Sequence, residues 1–218
     1  RNSLALVETR SENCQSVIYR NGAADFHVSE EQARGIDLDP FGALILTGTC
    51  LAMQPSRGAT MLVIQRASQA GLPVILDIDY RPYSWTSRAE AAAICNGAAQ
   101  LCDVIVGNDE EFGLLAGMQG DSLAKAAEYA ARPGRIIVHK MGGRGSVTFA
   151  DGKSFETGVF KVAALKPTGA GDAFLASFCA SLAEGRPIEE AVRRGDDNGR
   201  IEKIVPRIED AGLLLRLL

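Results

Sequence analysis

Long apolar runs are missing from these 218 residues, none approaching the roughly 18 that a membrane-spanning helix needs, so a helical span is excluded. Histidine is scarce. His27 and His139 are the only two, far apart and outside any metal or nucleophile motif, which argues against zinc or Ser/His/Asp chemistry. The five cysteines (Cys14, Cys50, Cys95, Cys102, Cys179) form no C-x-x-C pair, which leaves reduced thiols in a soluble, cytoplasmic protein as the expectation. Basic clusters are absent too: 23 Lys and Arg against 27 Asp and Glu give a net charge of -4 and a pI near 5.3, with no footprint for nucleic acid. A P-loop is lacking, as is a G-x-G-x-x-G after the first strand. No charged-then-apolar leader follows Arg1, and a start at Arg rather than Met raises the expectation that a natural N-terminal part is missing.

What is present is a change of period. "SLALVET" (3–9), "CQSVIYR" (14–20) and "ADFHV" (24–28) alternate as short strands of a meander with one wet face. Beyond residue 30 the apolar strands "ALILTG" (43–48), "PVILDID" (73–79), "DVIVG" (103–107) and "RIIVHK" (135–140) are interleaved with helical stretches, a pattern that predicts an α/β core around a mainly parallel sheet flanked by helices. Helices are expected over 56–70, from the Ser-x-x-Glu box at 87–90 to about 101, over "EEFGLLAG", and over 122–131. Antiparallel strands follow at 145–150, 154–160 and 162–165. The simplest organisation is one domain: lid strands over 1–30 and a core over 31–218.

Ligands of such sheets bind outside the carboxyl ends of the strands. Those ends carry Thr47 and Gly48, Asp77, Asp79 and Arg81, Asn108 and Glu111, and Lys140 and Gly142. Each has an ordinary reading beside a functional one. Asn108 and Glu111 form a helix-capping pair, or Glu111 assists a Mg²⁺ ion, and the two roles are compatible. Arg81, in "DIDYRPYSW" (77–85), offers a planar fork to a carboxylate or phosphate, although Asp and Pro also build turns. "HKMGGRGS" (139–146) is a permissive hairpin, or a segment whose Lys140 reaches phosphate. In "TGAGDAF" (168–174) the amides of Gly169, Ala170 and Gly171 suit an anion at a helix start, while Asp172 either does chemistry or stabilises the helix dipole. Alternation sets Tyr19 and Arg20 on opposite faces of the second strand.

Taken together, "TGAGDAF", "NDEE" and "KMGGRGS" resemble the motifs of the PfkB, or ribokinase-like, carbohydrate kinases, in order and at suitable spacing from about residue 3 to residue 195. The resemblance implies a ribokinase-like fold with a small β lid and ATP-dependent phosphorylation of a sugar hydroxyl. It also implies Asp172 as general base and an anion hole at Gly169, Ala170 and Gly171. Nucleotide and Mg²⁺ would then fall to Asn108, Glu111, Lys140, Gly142 and Gly145, with Glu111 as the metal-associated residue. "ENCQSVIYRNGAAD" (12–25), "DIDYRPYSW" and "LKPTGAGD" (165–172) are most similar to the branch acting on sugar acids, including that of inositol catabolism, which makes Tyr19, Arg20 and Arg81 substrate residues. A homodimer through the lid follows from the same resemblance. Pro167 stands where many members have aspartate, and "RGDDNGRIEKIVPRIEDAG" (194–212) departs from the family's small-residue helix, so residues are expected to be omitted after Gly195. The alternatives are a kinase of a neutral sugar or nucleoside on the same scaffold, and a non-catalytic nucleotide- or sugar-binding relative.

Overall fold

The computed structural model describes residues 1–7, 16–117, 120–159 and 169–198. The chain forms two compact units, one of residues 1–8, 15–142 and 146–156, the other of residues 9–14, 143–145 and 157–218.

In the first unit, β1 (Leu4–Val7) and β2 (Ser16–Tyr19) make an antiparallel ribbon in which Leu4 faces Tyr19 and Leu6 faces Val17. All four of these side chains are exposed, so the ribbon carries an apolar face open to solvent rather than the expected buried one. The third strand expected over 24–28 is instead a 3-10 turn, Ala24–His27. Its cause is local: Ala23 N–H donates to the Arg20 carbonyl and Phe26 N–H to the Ala23 carbonyl, which coils the chain and buries Phe26.

Among the described residues the main sheet has six strands in sequence order: β3 (Leu44–Thr47), β4 (Val74–Asp77), β5 (Val104–Asn108), β6 (Ile136–Lys140), β7 (Ser146–Ala150) and β8 (Lys153–Thr157). The first four are parallel and β7 runs antiparallel to β6. Strand β4 is buried at every position, as a β-branched and leucine-rich run covered on both faces must be. Register pairs Thr47 with Asp77, Asn108 with Lys140, and Lys140 with Ser146, and the period of two puts these side chains on one face at the carboxyl ends. Leu46, Leu76, Ile105 and Ile137 point the other way into the core.

The helices begin where their caps dictate. Ser29 and Gln32 form a reciprocal box at α1 (Glu30–Arg34), α2 spans Ser56–Gln69, and Asp121 caps α5 (Ser122–Ala130). At α3 (Arg88–Ala99) the expected box is only half formed. Ser87 accepts from Glu90 N–H, but the Glu90 carboxylate turns to Thr86 and, at 2.9 Å, to Arg57. An ion pair with a guanidinium outcompetes a single backbone amide. Helix α4 (Asp109–Ala116) starts at Asn108.

In the second unit α6 (Ala170–Ala183) packs on α7 (Ile188–Asn198). Phe174 and Phe178 stack one turn apart, and a Cβ at Gly195 would lie 2.7 Å from the Phe174 ring. That glycine lets the two helices approach, a small-residue contact the sequence reading did not assign. The expected strand over 162–165, with Pro167 and Thr168, lies outside the described residues. Among the described residues no helix is long and apolar enough to cross a membrane.

Candidate active site

In the first unit Asn108 and Glu111 form the expected capping pair with good geometry. Glu111 N–H donates to Asn108 Oδ1 at 3.0 Å, and Asn108 N–H donates to Glu111 Oε2 at 2.7 Å. An ordinary capping glutamate is wetted at a helix surface; this one is 4% exposed and takes a further bond of 3.3 Å from Tyr80 N–H, across from the end of β4. Burial pushes the Glu111 carboxyl up to about 7, and the negative charges of Asp77 and Asp79 act in the same direction against the pull of Lys140 and the Asn108 amide. The unit thus gathers Asp77, Asp79 and Glu111 with Lys140 at the ends of three adjacent strands. Asp77 and Asp79 were visible as polar strand ends, yet only the fold shows them acting on Glu111.

Arg81 is paired with Asp79 at 2.6 Å and is partly exposed, so an incoming anion would share it with that carboxylate. Asp79 holds φ at 38°, a left-handed conformation uncommon outside glycine, at the point where the chain leaves β4. On the ribbon, Tyr19 lies on the open apolar face. Arg20 lies opposite, bonded to Asp25 and to the Thr49 carbonyl, just beyond β3. Next to it, the Thr47 and Thr49 hydroxyls are 2.7 Å apart.

Gly142 has a left-handed φ of 57° with open space around it, as a loop that admits a ligand requires. In the second unit Gly145 has a φ of 91°, and a Cβ there would lie 2.0 Å from the Thr157 carbonyl oxygen; close backbone passage accounts for this glycine without any ligand.

Asp172 sits in the first turn of α6 and is exposed. Gly169 takes the N-cap position in a left-handed conformation, φ 84°, and as a glycine it brings no side chain to bond the first-turn amides. A helix start whose cap residue has no side chain suits an anion at its N–H groups, here with a carboxylate in the same turn. Among the described residues no group of three Asp, Glu, His or Cys side chains is set to hold a metal ion directly. Both Glu111 oxygens already accept backbone N–H bonds, a donor set that fits a hydrated Mg²⁺, which keeps several of its waters, better than a stripped ion.

The model of the pfkB family of carbohydrate kinases matches residues 1–201. Curated relatives include proteins named 5-dehydro-2-deoxygluconokinase from Photobacterium profundum, 35% identical over 89% of this chain, and Bacillus thuringiensis, 36% identical over 91%. The chain spans 60% and 61% of their lengths. Among solved structures, a PfkB protein from Polaromonas has a TM-score of 0.80 at 23% identity, covering 96% of this chain and 70% of its own. Fructokinase from Vibrio cholerae, bound to fructose, ADP and a calcium ion, has a TM-score of 0.76 at 23% identity, covering 92% and 66%. Aminoimidazole riboside kinase from Salmonella enterica, with its riboside and an ATP analogue, has a TM-score of 0.71 at 19% identity, covering 86% and 63%. These structures share the ribokinase-like fold.

Proposed function

Since the chain belongs to the PfkB family of carbohydrate kinases, we propose that the protein transfers the γ-phosphoryl group of ATP to a hydroxyl of a small sugar acid, 5-dehydro-2-deoxygluconate or a close keto-deoxy analogue. The observation that carries the chemistry is the start of α6, where an exposed Asp172 stands three residues after a glycine N-cap that has no side chain to bond the first-turn amides. The relatives named 5-dehydro-2-deoxygluconokinase support the substrate class.

In this reading Asp172 accepts the proton of the attacking hydroxyl as its oxygen bonds to the γ-phosphorus and the bond to the β-phosphate oxygen breaks. The amides of Gly169, Ala170 and Gly171 hold the equatorial oxygens of the transferring group. Such a reaction needs positioning and charge stabilisation more than covalent catalysis, so one carboxylate suffices as base. Asn108, Lys140, Gly142 and Gly145 serve the nucleotide, with Lys140 pairing a phosphate. Glu111 orients a water of the nucleotide's Mg²⁺, whose chemistry when bound is to neutralise phosphate charge. Tyr19, Arg20 and Arg81 serve the sugar, the two guanidinium groups meeting its carboxylate. The open apolar face of Leu4, Leu6, Val17 and Tyr19 supports pairing of the ribbon with a second copy as a homodimer, in a cytoplasmic setting.

The test is Asp172→Asn in the full-length protein. Turnover should fall by ~10²–10⁴, the share of a positioned base, with nucleotide affinity nearly unchanged. Near-normal turnover would leave Asp172 as a helix-dipole residue and remove the assignment.

A further inference from the structure

Arg20 is held rather than loose. Its Nε and Nη2 both donate to one oxygen of Asp25, its Nη1 donates to the Thr49 carbonyl at 3.4 Å, and its guanidinium carbon lies 3.8 Å from the centroid of the Phe26 ring. The Arg20 side chain is only 12% exposed, against 43% for Asp25. The 3-10 turn at Ala24–His27 makes this possible, because it brings Asp25 and Phe26 back onto a residue that precedes them by five and six positions. In an extended strand they would run away from it.

We propose that Asp25 is a positioning residue for acid recognition: it holds the Arg20 guanidinium on Phe26 and against the turn after β3, so that the N–H groups left over are presented to a ligand carboxylate already ordered. This rests on the reading of Arg20 as a partner of the sugar acid. A guanidinium has five N–H donors, and three are used by Asp25 and Thr49, which leaves two. An unheld arginine side chain loses much rotamer entropy when it is ordered by a ligand, and a preset one does not lose it again. Asp25 also opposes an incoming anion by its charge. That opposition is the weaker effect, because its side chain is 43% exposed and water and salt screen it, whereas the two bonds and the ring contact fix Arg20 at close range.

A merely structural tie between ribbon and sheet would affect every substrate alike, and positioning would not. The experiment compares wild type, Asp25→Asn, Asp25→Glu, Arg20→Lys and the Asp25→Asn/Arg20→Lys double variant of the full-length protein. It measures KM and kcat for 5-dehydro-2-deoxygluconate, and KM, or competitive Ki where turnover is slow, for fructose. Asp25→Asn should raise the acid KM about tenfold, within the range of a charge-assisted bond, with kcat changed less than about twofold and the fructose constant unchanged. Asp25→Glu, which keeps the charge, should return the acid KM to within about threefold of wild type. In the Arg20→Lys background the Asn substitution should add less than about twofold, as expected when both act through one contact. An acid KM unmoved by Asp25→Asn, or an equal rise for acid and fructose, overturns the positioning role while the sugar-acid reading stands. A wild type with no preference for the acid overturns both.

Discussion

Helices α4 and α6 both carry an acid at the third residue after the N-cap, as α3 does with Glu90, and the acids of α4 and α6 live differently. In α4 the cap is Asn108 and the acid is Glu111; in α6 the cap is Gly169 and the acid is Asp172. Glu111 is buried, bonded back to its cap and crowded by Asp77 and Asp79. Asp172 is exposed in a first turn whose cap residue has no side chain to bond the amides. A side-chain cap turns a helix start inward and commits its acid to structure and to the local field. A glycine cap gives no such partner, which is what the substrate role proposed for these amides and this acid requires.

Stability measurements sharpen this comparison, and Glu111 should give the largest response. Its folded value near 7 lies above the 4.5 of an unperturbed carboxyl. Between these values the folded state keeps a proton that the unfolded chain has lost, so the contribution to stability is full below about pH 4.5 and declines until about pH 7. The whole decline corresponds to about 3 kcal/mol. Glu111→Gln cannot ionise, so denaturant melts of the two proteins should give a wild-type-minus-variant difference that drops by that order between pH 4.5 and 7. A flat difference would mean that Glu111 is not held by burial and by Asp77 and Asp79 as described.

Smaller effects follow at the caps. Gly169→Ala forces a Cβ into the left-handed region and should destabilise by about 1–2 kcal/mol, read from the denaturation midpoint. Asn108→Ala removes a side-chain acceptor and should cost about 1 kcal/mol. Asp172→Asn should cost only about 0.3 kcal/mol, the low end for an exposed charge at a helix start, although the proposed base role predicts a large loss of turnover. If Asp172→Asn destabilised the fold as much as Asn108→Ala, the contrast between the two helix starts would be lost.

The α/β alternation, the parallel strands and the Asn-x-x-Glu helix start were legible because each is written in adjacent residues. Two things were not. The segment 24–28 alternates like a strand, but its fate is set by the Arg20 carbonyl and by Asp25 returning to the guanidinium, contacts that no periodicity encodes. Glu111 reads as an ordinary cap, since the bond from Tyr80 N–H and the charge of Asp77 reach it from a segment some thirty residues earlier. The pairing of Arg81 with Asp79 lay within the quoted motif, although the left-handed turn that closes it did not.

The substrate class proposed for this family member is a sugar acid. The most direct measurement is kcat/KM of the full-length protein with ATP on 5-dehydro-2-deoxygluconate, fructose, ribose and adenosine, repeated with Arg81→Ala. One charge-assisted hydrogen bond is worth about 1.5 to 3 kcal/mol, so the acid should be preferred by one to two orders of magnitude or more, and Arg81→Ala should narrow that preference by about one to two orders while leaving the neutral substrates nearly unchanged. Equal efficiency on acid and neutral substrates in the wild type would contradict the account of the substrate.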